Sequence, residues 1–204
     1  MGITPESLEM LNKHADAVGG MVGCRMMELG NQQMFGHPKI EHGYPAKQWF
    51  ISQGVREHVS IDTNGLLGSL PMDLSKPIGR PEFFGAFDIV TDFGTSEHVG
   101  ATIEDFYHCR ANCHRWCRVG GLLLFVNPAT GFWKGHGTHY FTMEHYRRLR
   151  LALGYAMLEL REGTCVFSLK DGLEIYAAVV KCKDSPFMPL DQYKNLCAET
   201  IFSA

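Results

Sequence analysis

The sequence predicts an α/β fold, in which a mainly parallel sheet carries helices on both faces and a C-terminal antiparallel hairpin follows. Three observations lead to this prediction. Segments typical of strands and of helices alternate from Cys24 to Leu153. The stretch from Leu122 to Val126 is apolar throughout, which is typical of a strand covered on both faces. Near the end, two β-rich runs are joined by Lys170-Asp171-Gly172, and an Asp-Gly pair in that position favours a tight turn.

The first half of the chain contains predicted elements separated by one long loop. Thr4 can cap the first helix, and Pro5 suits the first helical position. Residues 32–45 are rich in Gly, His and Pro and show no periodicity, so a functional or mobile loop is expected there. The predicted elements are a helix over Thr4–Val18, a strand over Cys24–Leu29, a helix over Ala46–Gln53, a strand over Glu57–Ile61 and a weak third strand ending at Met72-Asp73-Leu74.

The second half of the chain is more regular. Apolar side chains recur at helical spacing through Phe106, Cys109, Cys113 and Trp116, and a glycine pair ends that helix. The predicted elements are a strand from Phe87 into a turn at Gly94, a helix over Ile103–Trp116, a strand over Leu122–Val126, a helix over Met143–Leu153 capped by Thr142, and the hairpin runs Thr164–Leu169 and Leu173–Lys181. Together these segments predict a Rossmann-like fold.

All 204 residues are expected to form one domain, because no repeat, linker or low-complexity tract divides them. Residues 1–20 would hold the N-terminal helix, residues 22–181 the core and residues 182–204 a C-terminal tail. The apolar fraction of 45% and the charged fraction of 20% are ordinary for a globular domain.

Charge and composition exclude several classes of function. The net charge of −3, from 19 Lys and Arg against 22 Asp and Glu, gives no basic surplus, so no nucleic-acid partner is expected. No apolar run approaches the roughly 20 residues of a membrane span, so no membrane association is expected. The first six residues lack a basic start and an apolar run, so no secretory signal is expected. Seven cysteines, an odd number, predict free thiols in a reducing cytoplasm.

Acidic residues follow three of the predicted strands. In a parallel sheet, ligands bind outside the carboxyl ends of the strands, where Glu28, Asp62 and Asp73 lie in the sequence. An acid after the second strand can accept both hydroxyls of a ribose, and a turn at Gly30 lets a ligand approach the backbone closely. Both glycine-rich phosphate-binding patterns are missing, which favours a nucleoside without phosphates. Any single acid is more commonly a solvated strand end, but three together point to a site.

The same segments carry a resemblance to a known family. They are Glu28-Leu29-Gly30, Asp62, Asp73-Leu74, Phe87-Asp88-Ile89-Val90, Val119-Gly120-Gly121-Leu122-Leu123 and, most closely, the stretch from Phe87 to Tyr155. Their order resembles the successive motifs of class I S-adenosylmethionine-dependent methyltransferases, in particular methyltransferase-like domains of the type that modifies small molecules or saccharides. The resemblance covers roughly residues 22–181.

The resemblance implies an enzyme that uses S-adenosyl-L-methionine as its cofactor. The residues implied to bind it are Glu28 and Gly30 with Asn31 along the methionine moiety, Asp62 at the ribose, Asp73 and Leu74 at the adenine, and Asp92, Phe93 and Gly94 beneath the sulfonium. One departure is that Asn31 and Gln33 stand where the family usually has glycines. DNA-modifying members carry Asp/Asn-Pro-Pro-Tyr/Phe where this chain has Asp92-Phe93-Gly94-Thr95, which disfavours that acceptor class.

Histidines near the predicted strand ends are candidates for acid–base chemistry. An oxygen acceptor usually needs a base, and histidine titrates nearest neutrality. Glu97 and His98 follow the fourth strand, and His136 and His139 follow the fifth, so we expect the three histidines to face one cleft, with Glu97 next to His98 and with His98 and His136 as the preferred pair. The alternative is that they are ordinary loop histidines. Aromatic residues at Phe132-Trp133 and Tyr140-Phe141 would wall an acceptor pocket or simply pack.

A run of cysteine and histidine from His108 to Cys117 raises the question of a zinc site. Cys109, Cys113 and Cys117 are spaced i, i+4, i+8 along one helix, which separates the outer two by roughly 12 Å, too far for one tetrahedral ion. Packing in the core is the favoured interpretation, and no metal site is predicted.

The sequence therefore predicts transfer of a methyl group from S-adenosyl-L-methionine to a small-molecule or sugar acceptor, most simply at oxygen. Two alternatives stay open at this point. One is a non-catalytic protein of the same fold that binds a nucleoside or a protein partner. The other is a different reaction on the same nucleoside-binding sheet. The acceptor and the oligomeric state are not predicted.

Overall fold

The computed structural model describes residues 2–164, 172–198 and 200–203. The strands in this part of the chain are β1 (Gly2–Ile3), β2 (Arg25–Leu29), β3 (Gln33–Met34), β4 (Tyr44–Pro45), β5 (Glu57–Ile61), β6 (Phe87–Phe93), β7 (Cys117–Pro128), β8 (His139–Phe141), β9 (Ala156–Thr164), β10 (Leu173–Val180) and β11 (Ile201–Ser203). The α-helices are α1 (Pro5–Ala15), α2 (Ala46–Ser52), α3 (Ile103–Trp116), α4 (Met143–Leu153) and α5 (Leu190–Cys197).

A six-stranded sheet forms the centre of the molecule, in the order β5-β2-β6-β7-β10-β9. The strands β5, β2, β6 and β7 are parallel, whereas β10 is antiparallel to both of its neighbours. The carboxyl ends of the four parallel strands therefore meet at one edge of the sheet, where the strand order also reverses between β2 and β6. The structure confirms the predicted fold class.

Helices cover both faces of the sheet. Leu11 of α1 and Phe50 of α2 are fully buried against one face. Phe106 of α3 and Leu149 of α4 are buried against the other, together with α5. Because successive side chains of a strand point to opposite faces, a continuously apolar strand such as β7 contributes to both layers.

Local capping explains why two helices begin where the sequence predicts. The Thr102 side chain accepts from the backbone N–H of Asp105, and the Asp105 carboxylate accepts from the backbone N–H of Thr102 in return, which is a capping box at the start of α3. At the start of α4, the Thr142 side chain accepts from the backbone N–H of His145, and Gly154 ends the helix in the left-handed conformation. Both helices match their predicted bounds.

Three expectations about strands need correction. Within the described residues, the strand that pairs with β10 is Ala156–Thr164, an edge strand rich in charge that the sequence pattern did not predict before Thr164. The rest of the predicted run Thr164–Leu169 lies outside the described residues. The predicted turn at Lys170-Asp171-Gly172 lies largely outside the described residues. No strand ends at Met72-Asp73-Leu74 within the described residues, where a single bridge joins Ile61 to Leu70. The loop over residues 32–45 contains β3 and β4, and β3 pairs with both β1 and β4 in a small three-stranded sheet.

The cysteines of α3 belong to the core. Cys109, Cys113 and Cys117 are almost completely buried in the layer between the sheet and α3. The six cysteines in the described part of the chain are all free thiols. This placement confirms the packing interpretation for the three helix-spaced residues. No helix within residues 2–164, 172–198 and 200–203 combines the length and apolar character needed to cross a membrane.

Candidate functional site

A cavity of about 430 Å³, here called cavity A, opens at the carboxyl ends of β2 and β5. The predicted residues Gly30, Asp62, Asp73 and Leu74 line it together with others from the same edge: Ile61, Thr63, Met72, Ser75, Thr95, His98, Val99 and Gly100. Two of the three acids that follow successive predicted strands thus face one hollow. Its volume is in the range of small-molecule sites.

Asp62 is held in place by the loop that follows β2. Its carboxylate accepts from the backbone N–H of Asn31 at 3.0 Å and from the backbone N–H of Asn64 at 3.1 Å. The Asn31 side chain donates to the Asn64 carboxamide oxygen at 3.0 Å, so Asn31 shapes this edge of cavity A without lining it. A carboxylate accepts about four hydrogen bonds, so the fixed Asp62 retains capacity for the hydroxyls of a ligand.

Gly30 brings the backbone close to cavity A in a conformation that suits glycine. Its φ is +76°, and a Cβ at this position would lie 2.6 Å from the Thr95 hydroxyl oxygen. Asp73 is fixed more locally, since its carboxylate accepts from the backbone N–H of Ser75 at 2.8 Å in a tight turn. The backbone at Gly30 and the turn at Asp73 therefore place small or short polar groups around cavity A.

Glu28 lies apart from cavity A, which corrects the expectation that it lines a ligand. Strand alternation turns Leu29 towards the α3 layer and Glu28 towards the opposite layer, where Glu28 is 1% exposed. Its carboxylate lies 3.7 Å from the His58 ring. Burial raises the pKa of Glu28 to about 8, and burial lowers the pKa of His58 to about 3, so both groups are uncharged near neutral pH.

A second cavity of about 380 Å³, cavity B, opens on the other side of the segment 94–98. Its walls are largely apolar, and Glu97 and His136 contribute polar groups. The residues that line it are Gly2, Thr4, Ser7, Phe35, His42, Phe93, Gly94, Glu97, Val126, Trp133, His136 and Glu174. The predicted residues Phe93 and Gly94 therefore lie between the two cavities and face cavity B.

Glu97, His98 and His136 form a cluster between the cavities. They are three of the four candidates for acid–base chemistry that the sequence pattern indicated, the fourth being His139. The Glu97 Oε1 atom lies 3.7 Å from His98 Nε2 and 3.9 Å from His136 Nε2. The Glu97 side chain is 1% exposed, whereas the two imidazoles are 33% and 39% exposed. Burial and the nearby Asp92 raise the pKa of Glu97 to about 8. Burial lowers the pKa of His98 and of His136, so both rings are held in the neutral form.

The loop that carries His136 is fixed to the segment that carries Glu97. The Thr138 hydroxyl donates to the backbone oxygen of Glu97 at 2.8 Å, and the Thr138 N–H donates to the same oxygen at 2.8 Å. The Tyr140 hydroxyl accepts from the backbone N–H of His136 at 3.0 Å and donates to the Trp133 carbonyl at 2.8 Å. These bonds bring His136 beside Glu97 although 39 positions separate them in the sequence.

His139 does not join this cluster, which corrects its expected place in the cleft. Its ring is fully buried and packs against Phe106, with centroids 5.0 Å apart, and it lines neither cavity. The strand β8 turns this residue inwards. Of the predicted aromatic walls, Trp133 lines cavity B, whereas Phe141 is buried in the core.

A buried polar network orients Glu97 from below. Asn127 Nδ2 donates to Glu97 Oε2 at 3.1 Å, while Asn127 Oδ1 accepts from Arg110 at 2.9 Å and from the Tyr146 hydroxyl. Arg110 also donates to Asp92 at 2.8 Å. Asp92, expected beneath a sulfonium, is instead fully buried, because this partner turns its carboxylate towards α3. The network leaves Glu97 Oε1 facing the two imidazoles.

Sequence analysis did not identify Arg110, Asn127 or Tyr146 as site residues. Asn127 lies at the carboxyl end of β7, the last parallel strand, so its position at a strand end was an available signal. Arg110 lies inside the cysteine-rich helix, and nothing in the local pattern distinguishes it from an exposed arginine. Its role depends on contacts with residues 17 and 18 positions away.

Gln32 and Thr95 close the space between the ends of β2 and β6. The Gln32 Nε2 atom donates to the Thr95 hydroxyl at 2.8 Å and to the Leu29 carbonyl at 3.1 Å. The Thr95 hydroxyl in turn donates to the Leu29 carbonyl at 2.8 Å. Both side chains are buried. We call this contact the Gln32–Thr95 junction.

Solved structures with the same architecture identify the fold. The chain aligns with 1,6-didemethyltoxoflavin-N1-methyltransferase of Burkholderia thailandensis at a TM-score of 0.60 and 14% identity, over 88% of this chain and 78% of that one. It aligns with the N-methyltransferase NodS of Bradyrhizobium japonicum WM9 at 0.58 and 11% identity, over 87% and 95%. Geranyl diphosphate methyltransferase gives 0.53 and 10% identity, over 86% and 85%. This chain has the class I methyltransferase fold.

The likeness confirms the fold implied by the sequence resemblance. No protein-family model matches the sequence, and no curated protein is detectably similar to it. The first two of these neighbours are N-methyltransferases, and the first was solved with 1,6-didemethyltoxoflavin and S-adenosylhomocysteine bound. At this level of identity, the shared property is the architecture that creates a ligand edge at the carboxyl ends of the parallel strands.

Proposed function

We propose that the protein is an enzyme that transfers a methyl group from S-adenosyl-L-methionine to a small-molecule or saccharide acceptor. The observation that carries the proposal is cavity A, in which Gly30, Asp62 and Asp73 surround a hollow at the carboxyl ends of β2 and β5 in a class I methyltransferase fold. Asp62 follows β5, the position from which an acid accepts both hydroxyls of a ribose. Asp73 and Leu74 would border the adenine.

The acceptor would occupy cavity B. Phe93 and Trp133 give this cavity flat apolar walls, and Glu97 and His136 place polar groups at its edge. A flat molecule with a polar substituent fits such a lining. Cavities A and B lie on the two sides of the segment 94–98, so methyl transfer from a donor in one to an acceptor in the other requires this segment to open a meeting point beside His98 and His136.

An oxygen acceptor suits the side chains at that meeting point. As the acceptor oxygen attacks the methyl carbon, the bond from that carbon to sulfur breaks and the sulfonium becomes a neutral thioether, so the acceptor must lose its hydroxyl proton. His98 and His136 are neutral and partly exposed, which suits a base, and Glu97 beside them orients the rings. Positioning supplies most of the remaining rate enhancement.

Titration calorimetry with S-adenosylmethionine and S-adenosylhomocysteine tests the cofactor site. Loss of charged hydrogen bonds to a ribose costs about 1.5–3 kcal/mol, so Asp62→Ala should bind either ligand about 10–100-fold more weakly than the wild type. Asp16→Ala, an exposed acid at the end of α1, is the matched control and should bind as the wild type does. Mass analysis of hydroxylated acceptors incubated with the enzyme should then show a gain of one methyl group.

Two results would contradict the proposal. The first is the absence of binding by the wild type for both ligands. The second is equal affinity in the Asp62→Ala and Asp16→Ala variants, because the ligand would then lie elsewhere.

A second candidate function is favoured by the Gln32–Thr95 junction. These two buried side chains fill the space between the ends of β2 and β6, next to the Gly30 turn that would line the methionine moiety. A protein with this fold that binds a nucleoside without transferring a methyl group is consistent with that closure. Nucleoside binding in cavity A without any methylated product would support this candidate over the enzyme.

A cytoplasmic location is part of the proposal. It is supported by the seven cysteines of the chain, of which the six described are free thiols and five of those are buried. Free thiols persist in reducing compartments.

A further inference from the structure

The cluster of Glu97, His98 and His136 has the composition of a metal site. One carboxylate oxygen and two imidazole nitrogens lie within 4.8 Å of one another. Two histidines and one carboxylate, with further positions left open, bind catalytic divalent ions in proteins. The sequence pattern indicated no metal site here, because His136 reaches the neighbouring Glu97 and His98 only through folding.

The spacing of the three donors fits one ion. An ion with bonds of about 2.1 Å to each donor requires donor atoms about 3.4 Å apart in a tetrahedral arrangement. Glu97 Oε1 lies 3.7 Å from His98 Nε2 and 3.9 Å from His136 Nε2. The two Glu97 distances need to shorten by a few tenths of an ångström, and the two imidazole nitrogens, which lie within 4.8 Å of each other, by up to about 1.4 Å. The two partly exposed imidazoles can supply this movement by rotation, because their side chains are 33% and 39% exposed.

The carboxylate is built into the protein in the manner of a metal ligand. Glu97 is buried, and its Oε2 accepts from Asn127 Nδ2 at 3.1 Å, which leaves Oε1 for the ion. Reversing the Asn127 amide would remove two hydrogen bonds, because its oxygen accepts from Arg110 and from Tyr146. Hydrogen-bonded partners of this kind fix the orientation of ligating carboxylates. The exposed imidazoles leave a route by which an ion enters.

We propose that Glu97, His98 and His136 bind one divalent transition-metal ion, with Zn²⁺ as the ion that best matches their chemistry. Zn²⁺ is commonly bound by imidazole nitrogen together with carboxylate oxygen, whereas Ca²⁺ and Mg²⁺ prefer ligand sets made of oxygen alone. His136 and Glu97 also line cavity B, so the ion has an open position towards that cavity. The site would accept a ligand with a hydroxyl group and lower the pKa of that hydroxyl.

This role rests on the proposed function, whereas ion binding does not. With the ion present, the acceptor hydroxyl loses its proton to solvent on binding to Zn²⁺. The bound oxygen then forms its bond to the methyl carbon as the carbon–sulfur bond breaks. In that case the histidines hold the ion instead of acting as bases.

Competition titration with a chromogenic zinc chelator measures the site in the full chain. The wild type should bind one Zn²⁺ per chain, and Co²⁺ in its place should give visible absorption bands of a four- or five-coordinate ion. Glu97→Gln and His136→Ala should each weaken Zn²⁺ binding at least about tenfold. His136 lies on an exposed loop, so this variant keeps the fold even if Glu97→Gln does not. His108→Ala, a histidine of α3 that lines neither cavity A nor cavity B, is the matched control and should bind as the wild type does.

The inference is overturned if the wild type binds no Zn²⁺ at one equivalent, or if His136→Ala binds it as tightly as His108→Ala. Calorimetry with S-adenosylhomocysteine separates this failure from failure of the proposed function. Binding of S-adenosylhomocysteine without binding of Zn²⁺ would support the proposed function and contradict the proposed ion site. Binding of Zn²⁺ without S-adenosylhomocysteine would keep the ion site and remove the proposed cofactor.

Discussion

Arg110 is a positive charge held inside the protein. Its guanidinium is 2% exposed and donates to Asp92 at 2.8 Å and to Asn127 at 2.9 Å. Aromatic rings surround it, the nearest being Phe125 at 4.4 Å from ring centroid to Cζ. A buried charge of this kind is tolerated because it is paired with an opposite charge and hydrogen-bonded to its neighbours. Removing one partner of the Arg110–Asp92 pair leaves the other charge buried without a counter-ion.

Arg110→Met should destabilise the protein by about 3–5 kcal/mol, because it leaves the Asp92 carboxylate buried without its cation. Arg80→Met is the matched control, since Arg80 pairs with Glu82 in an exposed ion pair, and pairs of this kind contribute little to stability. Chemical denaturation of both variants measures the difference. Equal unfolding free energies for the two variants would show that the buried pair contributes no more than the exposed one.

At the scale of single residues, strand ends were predictable and internal partners were not. Gly30, Asp62 and Asp73 follow recognisable strands or turns, and the general rule for parallel sheets places such residues around a ligand. Gln32 and Arg110 act through residues more than 15 positions away. No local pattern specifies which distant side chain a buried polar group will meet.

The pairing of β2 with β5 buries two titratable side chains between the sheet and α2. Glu28 and His58 lie 3.7 Å apart, and the His58 ring stacks on Phe50 with centroids 5.3 Å apart. Burial raises the pKa of Glu28 to about 8 and lowers the pKa of His58 to about 3. Both side chains are therefore uncharged in the folded protein near neutral pH.

The raised pKa of Glu28 predicts a loss of stability as pH increases. Between its ordinary pKa of 4.5 and about 8, the unfolded chain loses this proton while the folded chain keeps it, so rising pH favours unfolding. His58 is neutral in the folded protein and finishes titrating in the unfolded chain above pH 6.5, and this contribution is the same in the wild type and in Glu28→Gln. Relative to the wild type, Glu28→Gln should gain about 1–2 kcal/mol of unfolding free energy between pH 6.5 and 8.

Denaturant titrations across this pH window provide the measurement. Glu9→Gln, on an exposed position of α1, is the matched control and should follow the wild-type pH dependence. Parallel curves for Glu28→Gln and the wild type would mean that Glu28 is ionised in the folded protein.

At the scale of elements, helices were predicted more accurately than strands. Caps such as Thr102 and Thr142 lie next to the residues that they stabilise, so the sequence itself contains the boundary signal. The limits of β9 depend on its pairing with β10, whose residues lie 9–24 positions further along the chain and do not contribute to the local pattern of β9. Sequence periodicity therefore identified β10 but did not identify the strand that precedes Thr164.

Cavities A and B lie on the two sides of the edge formed by the carboxyl ends of the parallel strands. Cavity A has polar groups suited to a nucleoside, and cavity B has apolar walls suited to a flat acceptor. The segment from Gly94 to His98 separates them and carries Glu97 towards His136. The sequence predicted the sheet class and one edge for the site. The division into two cavities follows from the order of strands and from the Gln32–Thr95 junction, which only the folded chain defines.

A crystal structure of the protein soaked with S-adenosylhomocysteine tests the central claim most directly. The account predicts ligand density in cavity A, with the ribose hydroxyls within hydrogen-bond distance of the Asp62 carboxylate and the adenine beside Leu74. The sulfur should face the segment from Gly94 to His98. An empty cavity A at saturating ligand, or density confined to another part of the surface, would contradict the account.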